Sequence, residues 1–597
     1  MTANRLPLSP VLMLAALAAG AASASRASAQ DIDIIEQHIT VDVTGPSPDL
    51  SVDIDAVVDA PAGAVELYTL AFAIPVTAVT IDGSPGSASP VPGYPWVLLL
   101  TLPEPTGPDT TRHAIHVELR GAPSCGSLSG IGRIRCVRTA DEVIFPPTAT
   151  FYLMNLLHAD GYTGALTVLS PSSMEVVAGE DPTMDVVDRG DGTKASTFAL
   201  TVPTEYVWLA AGALRVVRSS SPGFPVSIYF AEGRGDPAKI EHAADIASKV
   251  LDWYAANLGG APMHEARIVL VPRAFEMGGV GVLGAAFIGE YVFDDLDYLL
   301  EQGVAHELAH TWWGNLASPS DGHPFFTESF AESEAWRALG AVRGDAVRTA
   351  GVRMNAIWYM YGRPDDDDTA ILDPELSSAS PLMVYVVYHK GSTVVRTLEE
   401  IVGEEQFAEV RRALLARGIG GLSMDALLED VRTVAGIDAT PWADAWLRRT
   451  GFPHITVATT VTAGAPSSLT VHTESADGID AVLPVELVAG DGTVTAEVLD
   501  LAAGVADATW SIDAAPVEVR IDPRWTMPRE LTPALAADVT LDGVTDAADL
   551  VEVALSLGGA IPEERRVDGH YDPLYDVDRN GTIDARDLDA LLAAAAP

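Results

Sequence analysis

Cysteine is nearly absent from this 597-residue chain, with only Cys125 and Cys136. That excludes a disulfide-dense scaffold, and with no histidine between or beside the pair it argues against a cysteine-built zinc site. In an exported chain, so close a pair is expected to form a disulfide, contributing about 3 kcal/mol by the chain-entropy model. Two free thiols are the alternative. Lysine is scarce too: Lys194, Lys239, Lys249 and Lys390 are the whole set. With 36 Lys+Arg against 83 Asp+Glu, the formal charge is −47. The basic footprint that nucleic acid or anionic lipid would need is missing. After the N-terminus no apolar run is long enough to suggest a transmembrane helix. The one apolar run, "VLMLAALAAGAA" (Val11–Ala22), follows Arg5 and precedes "ASA" at Ala27–Ala29. It is short of the ~20 residues that span a bilayer and reads as a signal peptide, residues 1–29, cleaved before Gln30. The expectation is a secreted protein with no membrane insertion. No cysteine stands near the cleavage site, which argues against a lipid anchor.

What is present divides by periodicity. From about Gln37 to Arg218, stretches such as "SVDIDA" and "IHVELR" alternate apolar and polar residues, with Gly, Pro and Asp between them as turns. Period-two alternation places one face in a core and one in water, so residues 30–220 read as an antiparallel β domain. Near Pro237 the period changes. Ala243, Ala247, Val250, Tyr254 and Leu258 form one helical stripe, Gly259 and Gly260 end it, and the apolar strand "RIVLVP" follows. From Leu296 to about Thr450 the pattern is mostly helical, giving a mixed α/β block over 221–452. Short alternating strands return over 453–527, a small β-sandwich. "PRELTP" (Pro528–Pro533) reads as a linker into an acidic, loop-rich tail that completes 528–597. The fold class is multidomain α+β.

The chemistry concentrates in "GVAHELAHTWWGNLASPSDGHPFFTESFAE" (Gly303–Glu332). His306 and His310 stand at i and i+4, which on a helix puts both imidazoles on one face within reach of one ion. Glu307 lies beside them, placed to take a proton from an attacking water. A catalytic zinc needs a third protein ligand and an open position, and Glu328 opens the next helical segment. Together they predict one zinc ion on His306, His310 and Glu328.

"HELAHTWWGN" followed by "TESFAE" resembles the membrane alanyl aminopeptidase family of gluzincin zinc metallopeptidases. That family's pattern is H-E-x-x-H, an aromatic-Gly-Asn run (here Gly314–Asn315), then N-E-G-F-A bearing the third ligand. The resemblance implies the same ligands and Glu307 as general base. "YHKGSTVVRTLEEIVGEEQF" (Tyr388–Phe407) is similar to the family's Y-x-K-G segment, which implies that Tyr388 donates to the oxyanion. The family resemblance, which covers about Ile39 to Pro523, also implies a thermolysin-like catalytic domain between β domains.

Three departures stand out. The gap from His310 to Glu328 is one residue shorter than in the family, and the loop between is expected to absorb the deletion. The family's G-x-M-E-N edge strand corresponds to "FEMGGVG" (Phe275–Gly281), where Gly278 falls on the glutamate that binds a substrate α-amine. Substrate contacts are assigned to Glu276, Met277, Gly278 and Gly279. On a strand Glu276 shares a side with Gly278 and would substitute, or it is a solvated edge residue. The glycines leave backbone open to an extended peptide. His323 stands near the family's carboxylate behind a ligating histidine, or is a loop histidine. "PDDDD" (Pro364–Asp368) reads as a solvated acidic loop or a cation collector.

In the tail, Asp576, Asp578, Asn580, Asp584 and Asp587 occupy positions 1, 3, 5, 9 and 12 of a calcium loop with Gly581 at the turn. Asp538, Thr540, Asp542, Asp546 and Asp549 repeat the pattern around Gly543, as the weaker site because of Thr540. A helix-like run follows each loop and none clearly precedes it. That resembles dockerin modules and implies one or two structural calcium ions, a cohesin-like partner and attachment through it to a cell surface. The expected function is a secreted zinc metallopeptidase, aminopeptidase-like. The alternatives are an endopeptidase of the same fold and a non-catalytic peptide-binding protein.

Overall fold

The computed structural model describes residues 29–594 except 92–93, 125–135, 148, 155–159, 180–183, 276–277, 296, 320, 364–366, 374–375, 377–379, 463–466, 476–477, 479 and 561–570. The chain divides into two compact units. One comprises Met1–Thr327, Ser377–Ala379 and Arg411–Leu427, and the other Glu328–Leu376, Ser380–Val410 and Leu428–Pro597. The predicted signal peptide falls almost wholly outside the described residues. So does Cys125, while Cys136 is disulfide-bonded.

In the first unit the alternation of "SVDIDA" becomes strand Leu50–Ala60, with Leu50, Val52, Ile54, Ala56, Val58 and Ala60 all buried. It pairs antiparallel with Asp33–Asp42 and Thr111–Gly121, so that Ile39, Ile54 and Val117 line up across three strands. A one-residue slip would turn this row to solvent, so the burial fixes the register. The eight-stranded sheet is mixed, however, not purely antiparallel. Tyr162–Pro171 runs parallel to Asp33–Asp42 at its centre. Parallel neighbours need a long connection, and the stretch after Thr111–Gly121 supplies one. Local alternation carries no sign of strand direction.

A second sheet in this unit orders its strands Leu214–Arg218, Val226–Ala231, Ala266–Val271, Ala285–Gly289 and Gly279–Val282. Helix Pro237–Asn257 crosses between two of the parallel strands, capped by the Asp236 carboxylate on the Ala238 N–H. The five stripe residues are all buried, and Gly259 and Gly260 follow with φ of +99° each. Every residue of Ala266–Val271 is buried, as expected for a parallel strand covered on both faces. Gly279–Val282 forms the edge.

The second unit holds helices Phe330–Arg343, Asp345–Tyr361 and Gly391–Val402, followed by two small sheets. "PRELTP" is not a linker. Glu530–Pro533 is a strand that pairs in parallel with His454–Thr462, and Arg529 and Met527 beside it are buried. Its prolines hid it, but Glu530–Pro533 is the edge strand of its sheet, where a missing N–H is tolerated. The acidic tail also joins the β part, since the Val519 N–H donates to the Thr540 carbonyl at 2.7 Å. No helix of the described residues is long and apolar enough to cross a membrane.

Candidate metal centre

Helix Asp297–Ala309 carries His306 and Glu307 and hands the chain to His310. Its last turn is tied from outside: the Tyr254 hydroxyl donates to the Ala305 carbonyl at 2.9 Å, and the Trp312 indole N–H to the Gly260 carbonyl at 2.9 Å. The aromatic-Gly-Asn run finishes the helix. Asn315 Nδ2 donates to the His310 carbonyl at 2.7 Å, satisfying an acceptor that a helix end leaves open, and Gly314 turns with φ of +107°.

The edge strand comes close to this helix because it lacks side chains on the facing side. A Cβ on Gly279 would collide with the Glu307 carboxylate, and one on Gly281 with the Glu307 carbonyl and the His310 Cβ. The two glycines therefore set the position of Glu307, a role that matching Gly279 to substrate contacts did not foresee. Gly279→Ala is expected to lower kcat/KM by about 100-fold, as an ångström-scale misplacement of a catalytic group does. Steady-state assay alongside metal analysis would check it, with bound zinc unchanged.

His306, Glu307 and His310 are buried, at 5, 9 and 8% exposed. His310 Nδ1 faces the Trp313 carbonyl at 3.0 Å, so it carries the proton and leaves Nε2 as a lone pair. The two Nε2 atoms are 3.2 Å apart. Nitrogens bound to one tetrahedral zinc at ~2.0–2.1 Å stand about 3.3 Å apart, so the pair fits that ion. Donor atoms of His306, His310 and Glu328 all lie within 4.8 Å of one another. The shortened loop has thus not removed Glu328 from the group.

Glu328 stands on a π-helical turn, Phe325–Ser329, and Tyr388 on a second, Val384–Lys390. Such turns concentrate at functional positions, since the extra residue re-aims a side chain. The buried Ser329 hydroxyl donates to the Val387 carbonyl at 2.7 Å and joins the two turns. A Cβ on Gly391 would collide with Ser329, which explains the glycine of "YHKG". Lys390 is buried, donates to the Arg449 carbonyl at 2.8 Å and lies over the Tyr359 ring, and burial pushes its pKa down to about 8.

Glu276 and Met277 lie outside the described residues. The "FEMGGVG" stretch is not one strand: Arg273–Phe275 is a 3-10 turn, and the strand starts only at Gly279. Gly278 precedes it, with its carbonyl accepting from the Gly289 N–H. His323 is used locally, its Nδ1 accepting the Phe325 N–H at 3.2 Å. Asp368 of "PDDDD" is a structural acceptor for Tyr359, Arg363 and the Gly451 N–H.

The loop after His310 has a partner that sequence reading missed. Ser318 donates to Glu205 Oε1 at 2.9 Å and accepts from the Gly420 N–H at 3.1 Å. Burial pushes the Glu205 carboxyl up to about 7, against the Ser318 bond that lowers it, with the Asp160 charge adding. The folded value exceeds the ordinary 4.5, so stability is full below pH 4.5 and is lost as pH rises through 7. Thermal melts should show Glu205→Gln matching wild type at low pH and exceeding it by on the order of 3 kcal/mol at high pH.

In the tail, the two loops repeat one hydrogen-bond pattern. Asp538 accepts from the N–H groups of Asp542 and Gly543, and Asp576 from those of Asn580 and Gly581. Asp549 accepts from Thr540 and Asp546, and Asp587 from Asp578 and Asp584. Asp576, Asp578 and Asp587 bring ligand atoms within 4.8 Å of one another.

Residues 242–420 match the Peptidase family M1 domain. The M1 segment contains the whole candidate centre. Among curated proteins, Aminopeptidase 2 of Candida albicans is 25% identical over 300 residues, which are 45% of this chain and 30% of that protein. Aminopeptidase N of Streptomyces lividans is 25% identical over 251 residues, 40% of this chain and 29% of that one. The aligned stretches thus span less than a third of either relative. Among solved structures, Legionella pneumophila aminopeptidase A in complex with aspartic acid superposes with a TM-score of 0.67 at 13% identity, covering 89% of this chain and 62% of that one. The overall fold is of that kind, and residues 242–420 of the central block are similar to the Peptidase family M1 domain.

Proposed function

We propose that this chain is a zinc-dependent peptidase of the aminopeptidase type. The observation that carries the reading is the convergence of the His306, His310 and Glu328 donor atoms beside Glu307. A zinc ion held by these three would supply a Lewis acid and an acidified water. Glu307 takes the proton of the attacking water and delivers it to the leaving amine. The Tyr388 phenol donates to the oxyanion that develops on the scissile carbonyl. The edge strand Gly279–Val282 gives an extended peptide backbone to pair with.

Aminopeptidase action is supported by the names of the relatives. An endopeptidase is the second reading, favoured by Gly278 standing where the family's amine-binding glutamate would be. The deciding assay uses aminoacyl amides and the same peptides N-acetylated, on residues 30–597, with and without chelation. Cleavage of free-amine substrates alone makes it an aminopeptidase, and cleavage of both makes it an endopeptidase. Bound zinc without cleavage of any peptide defeats both.

Export by the 1–29 leader completes the proposal, with a calcium-folded, dockerin-like tail. The paired loop pattern supports the calcium. Burial, with the charges of Asp549 and Asp542, pushes the Asp538 carboxyl up to about 6, an unfavourable state that a bound cation would offset. A cohesin-like protein is the proposed docking partner.

A further inference from the structure

Tyr388 sits on a turn that a helix does not adopt by itself. A π turn holds one residue more than an α turn, and it persists only where the surroundings over-determine it. Relaxing it to an α turn would rotate the phenol by about 100° around the axis. One constraint is the Ser329 bond to the Val387 carbonyl, just before Tyr388. The other lies just after it. His389 Nδ1 faces Asn355 Oδ1 at 3.0 Å, and the His389 ring stacks on Trp358 with an interplanar angle of 19°. Asn355 is 1% exposed in the middle of helix Asp345–Tyr361.

The network around Asn355 admits one orientation. Its Nδ2 donates to Glu332 Oε1 at 3.0 Å and to Ser392 Oγ at 3.0 Å. A carboxylate accepts only, so the amide nitrogen must face Glu332 and Oδ1 must face His389. His389 then carries its proton on Nδ1. Burial, against the nearby Glu332 charge, pushes its pKa down to about 4, so the ring is neutral at working pH. Glu332 is held in turn by the Trp336 indole N–H at 2.8 Å. Glu332 stands one helical turn beyond Glu328, so the chain Glu332–Asn355–His389 fixes the Tyr388 turn to the segment that bears the third metal ligand.

We infer that Asn355 is a positioning residue for Tyr388, acting through His389; this rests on the reading of Tyr388 given above. Asn355 hydrogen-bonds Glu332, Ser392 and His389. It sets where the phenol stands relative to Glu328.

The test is a double-mutant cycle on the full zinc-loaded chain with a dipeptide amide substrate. Asn355→Ala is expected to lower kcat about tenfold, with KM and bound zinc unchanged. Asn355→Leu, which keeps the volume, should do the same. In a Tyr388→Phe background, where kcat is already low, neither should cause a further loss. An equal loss in both backgrounds, or a loss confined to KM or to zinc content, would overturn the inference. Nitrogen-15 NMR of the metal-free protein gives a readout apart from activity. His389 should be a pure Nδ1–H tautomer in wild type and a mixture in both Asn355 variants, and an unchanged tautomer would also overturn it. A Tyr388→Phe enzyme as fast as wild type would defeat the reading of Tyr388 itself, a failure distinct from an unmoved tautomer.

Discussion

Glutamine in place of Glu307 is expected to lower kcat by about three orders of magnitude while one zinc ion stays bound. Glutamine keeps the shape of the side chain, so the pocket left by Gly279 remains filled and the helix keeps its contacts. What it lacks is the ability to take a proton. In the mechanism above that proton moves twice, from water to the carboxylate and from the carboxylate to the leaving nitrogen, and each transfer fails without the group. KM should change little, because Glu307 acts on the attacking water. A parallel measurement of zinc content and kcat decides the matter. A Glu307→Gln protein that keeps its zinc and a tenth or more of its activity would assign the base to another residue.

The contrast between Glu307 and its surroundings shows what could be read from the sequence. The i, i+4 histidines and the intervening glutamate were legible because a single helix places all three, and the helix period is a local property of the chain. The alternating strands and the stripe on helix Pro237–Asn257 were legible for the same reason. Gly279 and Gly281 were visible as glycines but not as the surface against which Glu307 packs, since Glu307 follows them by 28 and 26 residues on a different element. The parallel pairing at the centre of the eight-stranded sheet and the strand Glu530–Pro533 were missed because pairing partners lie far apart in the chain. Asn355 had one local sign: a polar residue in the apolar stretch "RMNAIWYM". Its meaning came only from His389, 34 residues away. The π turns under Glu328 and Tyr388 had no sequence signature at all, although both segments were singled out by resemblance.

Loss of the third ligand should be as severe as loss of the base, but by another route. Glu328→Ala is expected to leave dialysed protein with little zinc and to reduce activity by about three orders of magnitude at equal protein concentration. His306 and His310 alone offer two nitrogens. Their 3.2 Å separation is right for the edge of a coordination tetrahedron, but two ligands do not hold an ion against buffer and water. The carboxylate would supply the third bond and a negative charge in a buried site, where an uncompensated dication is strongly disfavoured. Excess zinc should restore part of the activity of Glu328→Ala and none of that of Glu307→Gln. This difference separates a ligand from a base in one experiment. The Glu328 turn also carries Ser329, so the alanine variant should keep the Ser329 bond to Val387 and hence the Tyr388 turn. A Glu328→Ala protein that binds zinc as tightly as wild type would move the third ligand elsewhere. Glu332, held by Trp336 and Asn355, is already engaged and is poorly placed to take over.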